Sequence, residues 1–295
     1  MTETKKQEEK TRGNKSAYKP VRSKSKYNVQ NVVSGKSLEK TAKTAKFNKQ
    51  GKPVQKRCPQ NKTSNNRTEK STKSLKIIPL GGLGEIGKNI TLYEYDGDMF
   101  LVDCGMSFPD EDTPGVDIVI PDFTYVIENK DKIKGLVVTH GHEDHIGAIP
   151  YLLRNFNLPI YATRLTVGLI EGKLKEHKLL SGAKLNVVSP GEKVTLGKFT
   201  VEFIHVNHSI PDAVGFAITC GAGTVVQTGD FKIDTTPIDD YVIDIARFAE
   251  LGKKGVLALL SDSTNAERPG FTPSEKLVGE SFSNLFKKAE GHRII

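Results

Sequence analysis

Cysteine is scarce in these 295 residues, and long apolar runs are absent. The three cysteines, Cys58, Cys104 and Cys220, are odd in number, far apart and in no metal-ligand spacing. That excludes a disulfide framework and points to a reducing compartment, read here as the cytoplasm. Cys104 and Cys220 lie beside apolar stretches, where a thiol packs as a small hydrophobe. No apolar stretch reaches the roughly 20 residues that a membrane-spanning helix needs. The N-terminus is rich in Lys and Glu without an apolar centre, so it does not read as a secretory signal. No internal repeat is present.

Acidic and apolar residues are also sparse at the start of the chain. Residues 1–74 hold 21 Lys and Arg against 5 Asp and Glu, a net of +16, whereas the remainder holds 22 against 30, a net of −8. The overall charge of +8 therefore conceals a basic tail on an acidic body. Such a tail cannot bury enough surface to offset the entropy of ordering, and disorder is expected. Its charge suits an electrostatic tether for RNA or another polyanion, working by counterion release without sequence specificity; a solubilising extension is the alternative. It shows no amphipathic helical face for a membrane surface. An acidic body that handles nucleic acid must rely on local basic patches and bound cations.

From Leu75 the texture changes. Strands are expected over 75–80, 90–95 and 99–103, the last two joined by a hairpin at Asp96-Gly97, and the short loops favour antiparallel pairing there. Further strands are expected at 135–139, 159–162, 184–189, 199–206, 214–219, 224–228 and 255–261. Helices are expected at 122–129, 145–154, 164–179 and 240–251. Mixed in this way, they give an α/β (α+β) body of sheets with helices packed outside. The stretch 274–290 reads as a helix capped by Ser274, with apolar residues at helical spacing. His292-Arg293-Ile294-Ile295 resembles the start of another strand, so the chain is expected to stop within a domain, with an ordinary short C-terminal strand as the alternative.

The densest chemistry lies in Thr139-His140-Gly141-His142-Glu143-Asp144-His145, at the end of the apolar run Gly135-Leu136-Val137-Val138. A buried strand that stops in a Gly-containing polar turn sends His140 and His142 off on one side, because alternate residues share a direction. The turn redirects Asp144 and His145 to a helix start. Three imidazoles and two carboxylates so arranged suit two adjacent metal ions better than one.

Other strand ends supply partners. Asp103, closing an apolar strand, could orient a ligand loop from behind or merely cap the next turn, and the histidine cluster downstream favours the former. His208 lies past a strand in a polar turn and is the better additional nitrogen ligand, whereas His205 reads as structural. Asp230 follows an apolar strand, and its two oxygens could bridge two cations. Asp262 follows another and could donate a proton or orient a ligand, with a structural turn as the alternative. His177 and His292 read as solvated or packed. Gly82-Leu83-Gly84-Glu85-Ile86-Gly87 matches G-x-G-x-x-G, but that fingerprint needs a helix next, and a strand follows here. Its glycines instead allow a tight loop near the site.

Together these residues resemble the metallo-β-lactamase superfamily. His140-Gly141-His142-Glu143-Asp144-His145 matches its H-x-H-x-D-H signature, Asp103 its first motif, His208 its third and Asp230 its fourth. Within it, Gly81-Gly82-Leu83-Gly84-Glu85-Ile86-Gly87-Lys88-Asn89, Phe108-Pro109-Asp110, Asn207-His208-Ser209-Ile210-Pro211-Asp212, Gly229-Asp230-Phe231-Lys232 and Ser261-Asp262-Ser263-Thr264-Asn265 resemble the bacterial ribonuclease J family. The resemblance covers 75–295. It implies an αββα catalytic domain over 75–272 and the start of a β-CASP domain at 273–295, after the tail at 1–74. By motif position, His140, His142 and His208 would hold one ion and Asp144 and His145 the second, with Asp230 bridging. The family completes its second site with a histidine beyond the β-CASP domain, so the first ion is expected to bind more tightly here. Homo-oligomers are implied for the full-length family.

The implied activity is hydrolysis of RNA phosphodiesters, exonucleolytic from the 5′ end, endonucleolytic or both, in RNA maturation (including rRNA processing) and decay. The expected route is in-line attack by hydroxide generated between two cations, with Asp262 or an ordered water protonating the leaving oxygen and Asp144 holding the second ion. Nitrogen-rich ligands suit Zn²⁺, and mixed imidazole and carboxylate sites also admit Mn²⁺. A thiolester hydrolase of the same fold and an incomplete RNA-binding or scaffold fragment are the competing readings.

Overall fold

A computed structural model describes residues 73–111 and 113–294; all of the basic tail but Lys73 and Ser74 lies outside the described residues, as does Cys58. In chain order the elements are β1 (Leu75–Gly81), β2 (Ile90–Tyr95), β3 (Asp98–Val102), α1 (Thr124–Glu128), β4 (Ile133–Val137), α2 (Glu143–Ile146) and α3 (Ile149–Leu153). They continue with β5 (Pro159–Ala162), α4 (Arg164–Glu176), β6 (Lys184–Val187), β7 (Lys193–Leu196), β8 (Phe199–His205), β9 (Val214–Cys220) and β10 (Gly223–Gln227). Last come α5 (Ile245–Lys254), β11 (Ala258–Leu260) and α6 (Lys276–Lys288).

Strands β1 to β6 form one sheet in sequence order, and β11-β10-β9-β8-β7 form the other. The first three strands pair antiparallel, as their short loops require; β3 to β6 then run parallel, with helices filling the crossovers. The β2–β3 turn has Asp96 at φ 51° and Gly97 at φ 87°, both left-handed, as a two-residue hairpin turn demands.

Alternation along the strands builds three cores. Ile90, Leu92, Met99 and Leu101 face the helices, joined by Val167, Ile170 and Leu174 of α4. Their neighbours Tyr93, Phe100 and Val102 face the second sheet and meet Phe199, Phe203 and Phe216. Phe100 contacts the Phe199 ring edge-on at 4.8 Å and Tyr93 in a stack at 5.1 Å. Each such fully buried side chain contributes about 1.5–3 kcal/mol. Ile204, Ala217 and Val226 on the far face of the second sheet pack against Leu251 of α5. Arg247 also pins α5 there, through two hydrogen bonds to Glu202 of 2.6 and 2.9 Å. Helix, sheet, sheet, helix is the expected αββα sandwich.

Boundaries differ from expectation in places. The helix expected over 145–154 is two pieces, α2 and α3, broken at Gly147-Ala148. Residues 240–244 are not helical; α5 starts after Asp244, whose carboxylate accepts from the Arg247 N–H at 2.9 Å. Strand β7 went unforeseen. Glycines 82 to 87 form a loop running into β2, so the dinucleotide reading fails for the reason the sequence offered. Among the described residues no helix is long and apolar enough to cross a membrane.

One edge gathers the strand ends. The Asp103 N–H donates to the Val137 carbonyl at 2.9 Å, aligning the exits of β3 and β4. The Val214 N–H donates to the Thr139 carbonyl at 2.9 Å, which joins the two sheets there. The exits of β10 and β11 are tied by the Thr228 N–H to Leu260 carbonyl bond and by the Asp262 N–H to Thr228 Oγ1 bond.

Candidate metal centre

His140 is wholly buried and His145 nearly so, while His142, His208, Asp144 and Asp230 are partly exposed at the strand edge. His140 Nε2 lies 3.0 Å from His142 Nδ1, which in turn lies 3.3 Å from His208 Nε2. Two groups bring their ligand atoms within 4.8 Å of one another: His140 with His142 and His208, and His140 with His145 and Asp230. Asp144 belongs to neither, although its Oδ2 lies 3.5 Å from His145 Nε2. Asp230 Oδ2 stands between the groups, 3.5 Å from His145 Nε2 and 3.7 Å from His208 Nε2.

The supporting bonds fix which nitrogens face inward. Asp103, 3% exposed, accepts from the Thr139 N–H at 2.8 Å, the Thr139 hydroxyl at 2.9 Å and His145 Nδ1 at 2.9 Å. With its hydroxyl proton spent on Asp103, Thr139 Oγ1 can accept from His140 Nδ1 at 3.0 Å. Both imidazoles then turn Nε2, not Nδ1, toward the cleft. His142 Nδ1 carries at most one proton, so it cannot satisfy the nitrogens of His140 and His208 together. A tetrahedral zinc with Zn–N of about 2.0–2.1 Å would set its nitrogens about 3.3 Å apart, close to the spacings present. The donor set fits a divalent cation.

Electrostatics divide the imidazoles: His140 and His208 are held toward the neutral form, whereas His145 holds a proton that a cation would have to displace. Burial pushes His140 down to about 2, helped by the charge of His145, which keeps the imidazole neutral. Burial likewise lowers His208. Burial opposes the charge on His145 too, but the Asp103 and Asp230 carboxylates outweigh it and raise the ring to about 10. Burial works against the Asp230 carboxylate, and its bond to His145 overcomes this to bring it down to about 2.

Asn89 is a member of the site that sequence reasoning did not single out. Its amide donates to the Asp144 carbonyl at 3.1 Å and lies 3.3 Å from Asp144 Oδ2 and 3.1 Å from His145 Nε2. Gly105 permits this packing: a Cβ there would lie 1.5 Å from the Asp144 carbonyl oxygen. The only local signals were an Asn after a glycine-rich loop and a Gly after a strand-end Asp. Asp262 lies on the wall of the adjoining cleft of about 280 Å³, which the glycine loop, Asp144, His145 and Asp230 also line. One of its oxygens accepts from the Thr264 N–H at 2.8 Å.

The remaining histidines are structural. His205 Nε2 donates to the Tyr241 carbonyl at 2.9 Å, and the ring stacks on Tyr241. His177 accepts from Arg154 and meets the Tyr151 ring edge-on, and exposed His292 bonds only the Glu290 carbonyl.

The model of the metallo-β-lactamase superfamily matches residues 83–264, which span every residue of the cluster. The chain belongs to the metallo-β-lactamase superfamily. Its superfamily relatives include ribonuclease J of Synechocystis sp., 54% identical over 226 residues that make up 76% of this chain and 35% of that protein. Ribonuclease J of Thermus thermophilus is 48% identical over 74% of this chain and 39% of its own length. Ribonuclease J2 of Bacillus subtilis is 43% identical over 77% of this chain and 41% of its own length. The chain thus spans between about a third and two fifths of the length of these relatives. A protein of unknown function from Enterococcus faecalis V583, solved by crystallography, superposes with a TM-score of 0.52 at 15% identity, over 74% of this chain and 58% of that one, a likeness of fold. The metallo-β-lactamase fold and the donor cluster together support divalent metal binding.

Proposed function

We propose that this chain carries the catalytic site of a metal-dependent ribonuclease that hydrolyses RNA phosphodiester bonds. The observation that carries the reading is the convergence of His140, His142, His208, His145 and Asp230 at one strand edge, in a chain of which 76% aligns at 54% identity with a protein named ribonuclease J. In this reading His140, His142 and His208 hold one divalent ion, Asp144 and His145 hold a second, and Asp230 lies between them. Ions so held supply Lewis-acid polarisation of a phosphoryl oxygen and a water of lowered pKa.

The chain's own residues do the rest. Asp103 keeps the Nδ1 proton of His145 pointing away from the cleft, and Thr139 does the same for His140. Asn89 fixes the backbone of Asp144. In this reading Asp262, which lies on the cleft wall, passes a proton to the leaving oxygen. Zn²⁺ or Mn²⁺ as the resident ion, self-association of the whole protein and a cytoplasmic location belong to the same proposal. Metal analysis, sedimentation and fractionation of the native protein are their respective checks.

Incubation of the protein with Zn²⁺ or Mn²⁺ and 5′-end-labelled RNA, beside a thiolester substrate, tests the activity. The expected result is RNA cleavage that a chelator stops and that His142→Ala or Asp144→Ala lowers by at least about 100-fold without unfolding the protein. Undiminished cleavage by a folded, metal-free variant, or turnover of the thiolester alone, would sink the reading. The basic segment is proposed to tether RNA: removing residues 1–74 should flatten the dependence of RNA affinity on salt, and an unchanged slope would eliminate the tether.

A further inference from the structure

We infer that Asp212 is a positioning residue for the cation site, locking the His208 loop to α4, the helix that also backs the His140-Gly141-His142 turn. The inference rests on the proposed role of His140, His142 and His208 as cation ligands.

Helix α4 is not capped by its own Thr163, whose side chain makes no bond to the first turn. The cap comes from 47 residues away: the Leu165 N–H donates to Asp212 Oδ2 at 3.1 Å. A carboxylate there satisfies an otherwise unpaired N–H and lies at the favourable end of a 13-residue helix dipole. Thr163, buried, turns its hydroxyl to the Asp212 carbonyl at 2.8 Å, closing a second bond between the same two segments. Asp212 sits at φ 63°, a left-handed conformation that Asp and Asn tolerate better than most residues.

The His208 loop is short. Val206 and Ala213 close it through the Val206 N–H to Ala213 carbonyl bond of 3.1 Å, leaving His208 near its start and Asp212 at its end. The same helix presses on the other ligand turn. A Cβ on Gly141 would lie 2.4 Å from Leu169 Cδ1 of α4 and 3.5 Å from Ile210 Cδ1 of the His208 loop. Gly141, Leu169 and Ile210 therefore meet where the two ligand-bearing loops adjoin. With Asp212 fixed on α4, His208 stays at the 3.3 Å spacing from His142 that a cation requires.

Titration of the chain with Co²⁺, read by its d–d absorption alongside far-UV ellipticity of the metal-free protein, tests this. D212N keeps an acceptor oxygen and tolerates the left-handed backbone, so its affinity should stay near that of the unmodified chain. D212G relieves the backbone but loses the cap and should bind Co²⁺ about 10–100-fold more weakly, with a changed absorption and unchanged ellipticity. T163V, nearly isosteric and buried, should shift affinity in the same direction and guards against a D212G protein that does not fold. Affinities of D212G and T163V within about twofold of the unmodified chain, or a D212N loss equal to that of D212G, would overturn the inference. No d–d band from the unmodified chain would instead overturn the metal-centre reading, and this inference with it.

Discussion

Replacing Gly105 with Ala should cost this protein both its metal site and much of its stability. The added Cβ would lie 1.5 Å from the Asp144 carbonyl oxygen, 2.1 Å from its carbon and 2.7 Å from the His145 nitrogen, all backbone atoms that cannot rotate aside. The neighbouring bonds hold the two segments together: Cys104 N–H to the His145 carbonyl at 2.9 Å, Met106 N–H to the Glu143 carbonyl at 3.1 Å, and Gly105 N–H to the Asn89 carbonyl at 3.0 Å. Relief must come from pushing residues 143–145 away, which carries Asp144 and His145 with them. Overpacking of this kind costs about 1–3 kcal/mol or more. A displacement of about 1 Å at the reacting groups costs about 100-fold in rate. Thermal unfolding and zinc content of the folded fraction check this; an unshifted transition with full zinc would show that the two segments have slack that their contacts do not suggest.

Asp103→Asn should leave the fold in place and weaken metal binding. Asparagine tolerates the left-handed φ of 59° that residue 103 adopts, and its amide oxygen can still accept from the Thr139 N–H. The amide nitrogen then faces His145 Nδ1 as a donor, which forces the imidazole proton onto Nε2 and removes the lone pair from the cleft. Loss of such a supporting partner costs about 10–100-fold in metal affinity. Competition against a chelator of known strength measures it, with circular dichroism as the control. Equal affinity in the two proteins would mean that Asp103 supports the turn at Thr139 without governing His145.

The candidate donors were legible because strand ends announce themselves. An apolar run stopping in His140-Gly141-His142, or in Gly229-Asp230, marks both an element boundary and a polar group at the same edge. His208 and His205 were separable because one lies in a polar turn and the other within a strand, where it now stacks on Tyr241. The residues that hold those ligands were harder to see. Asn89 meets Asp144 across 55 residues of sequence, and Asp212 meets Leu165 across 47. Gly105 serves by having no side chain where another backbone passes. None of these contacts leaves a period or a local pattern; each is fixed only once the sheet has brought the strand ends together. The strand β7 was readable in principle, since Lys193, Val194, Thr195 and Leu196 alternate in exposure between turn glycines at 191 and 197. Its four residues are too few to stand out from the loop around them.

Convergence of the three imidazoles on a metal ion is tested by crystals of the protein equilibrated with Zn²⁺ and measured at the zinc absorption edge. The expected result is an anomalous peak among His140 Nε2, His142 Nδ1 and His208 Nε2, with a second, weaker one beside His145 and Asp230. An ordered site with no peak among the three imidazoles, or zinc bound only elsewhere on the protein, would contradict it.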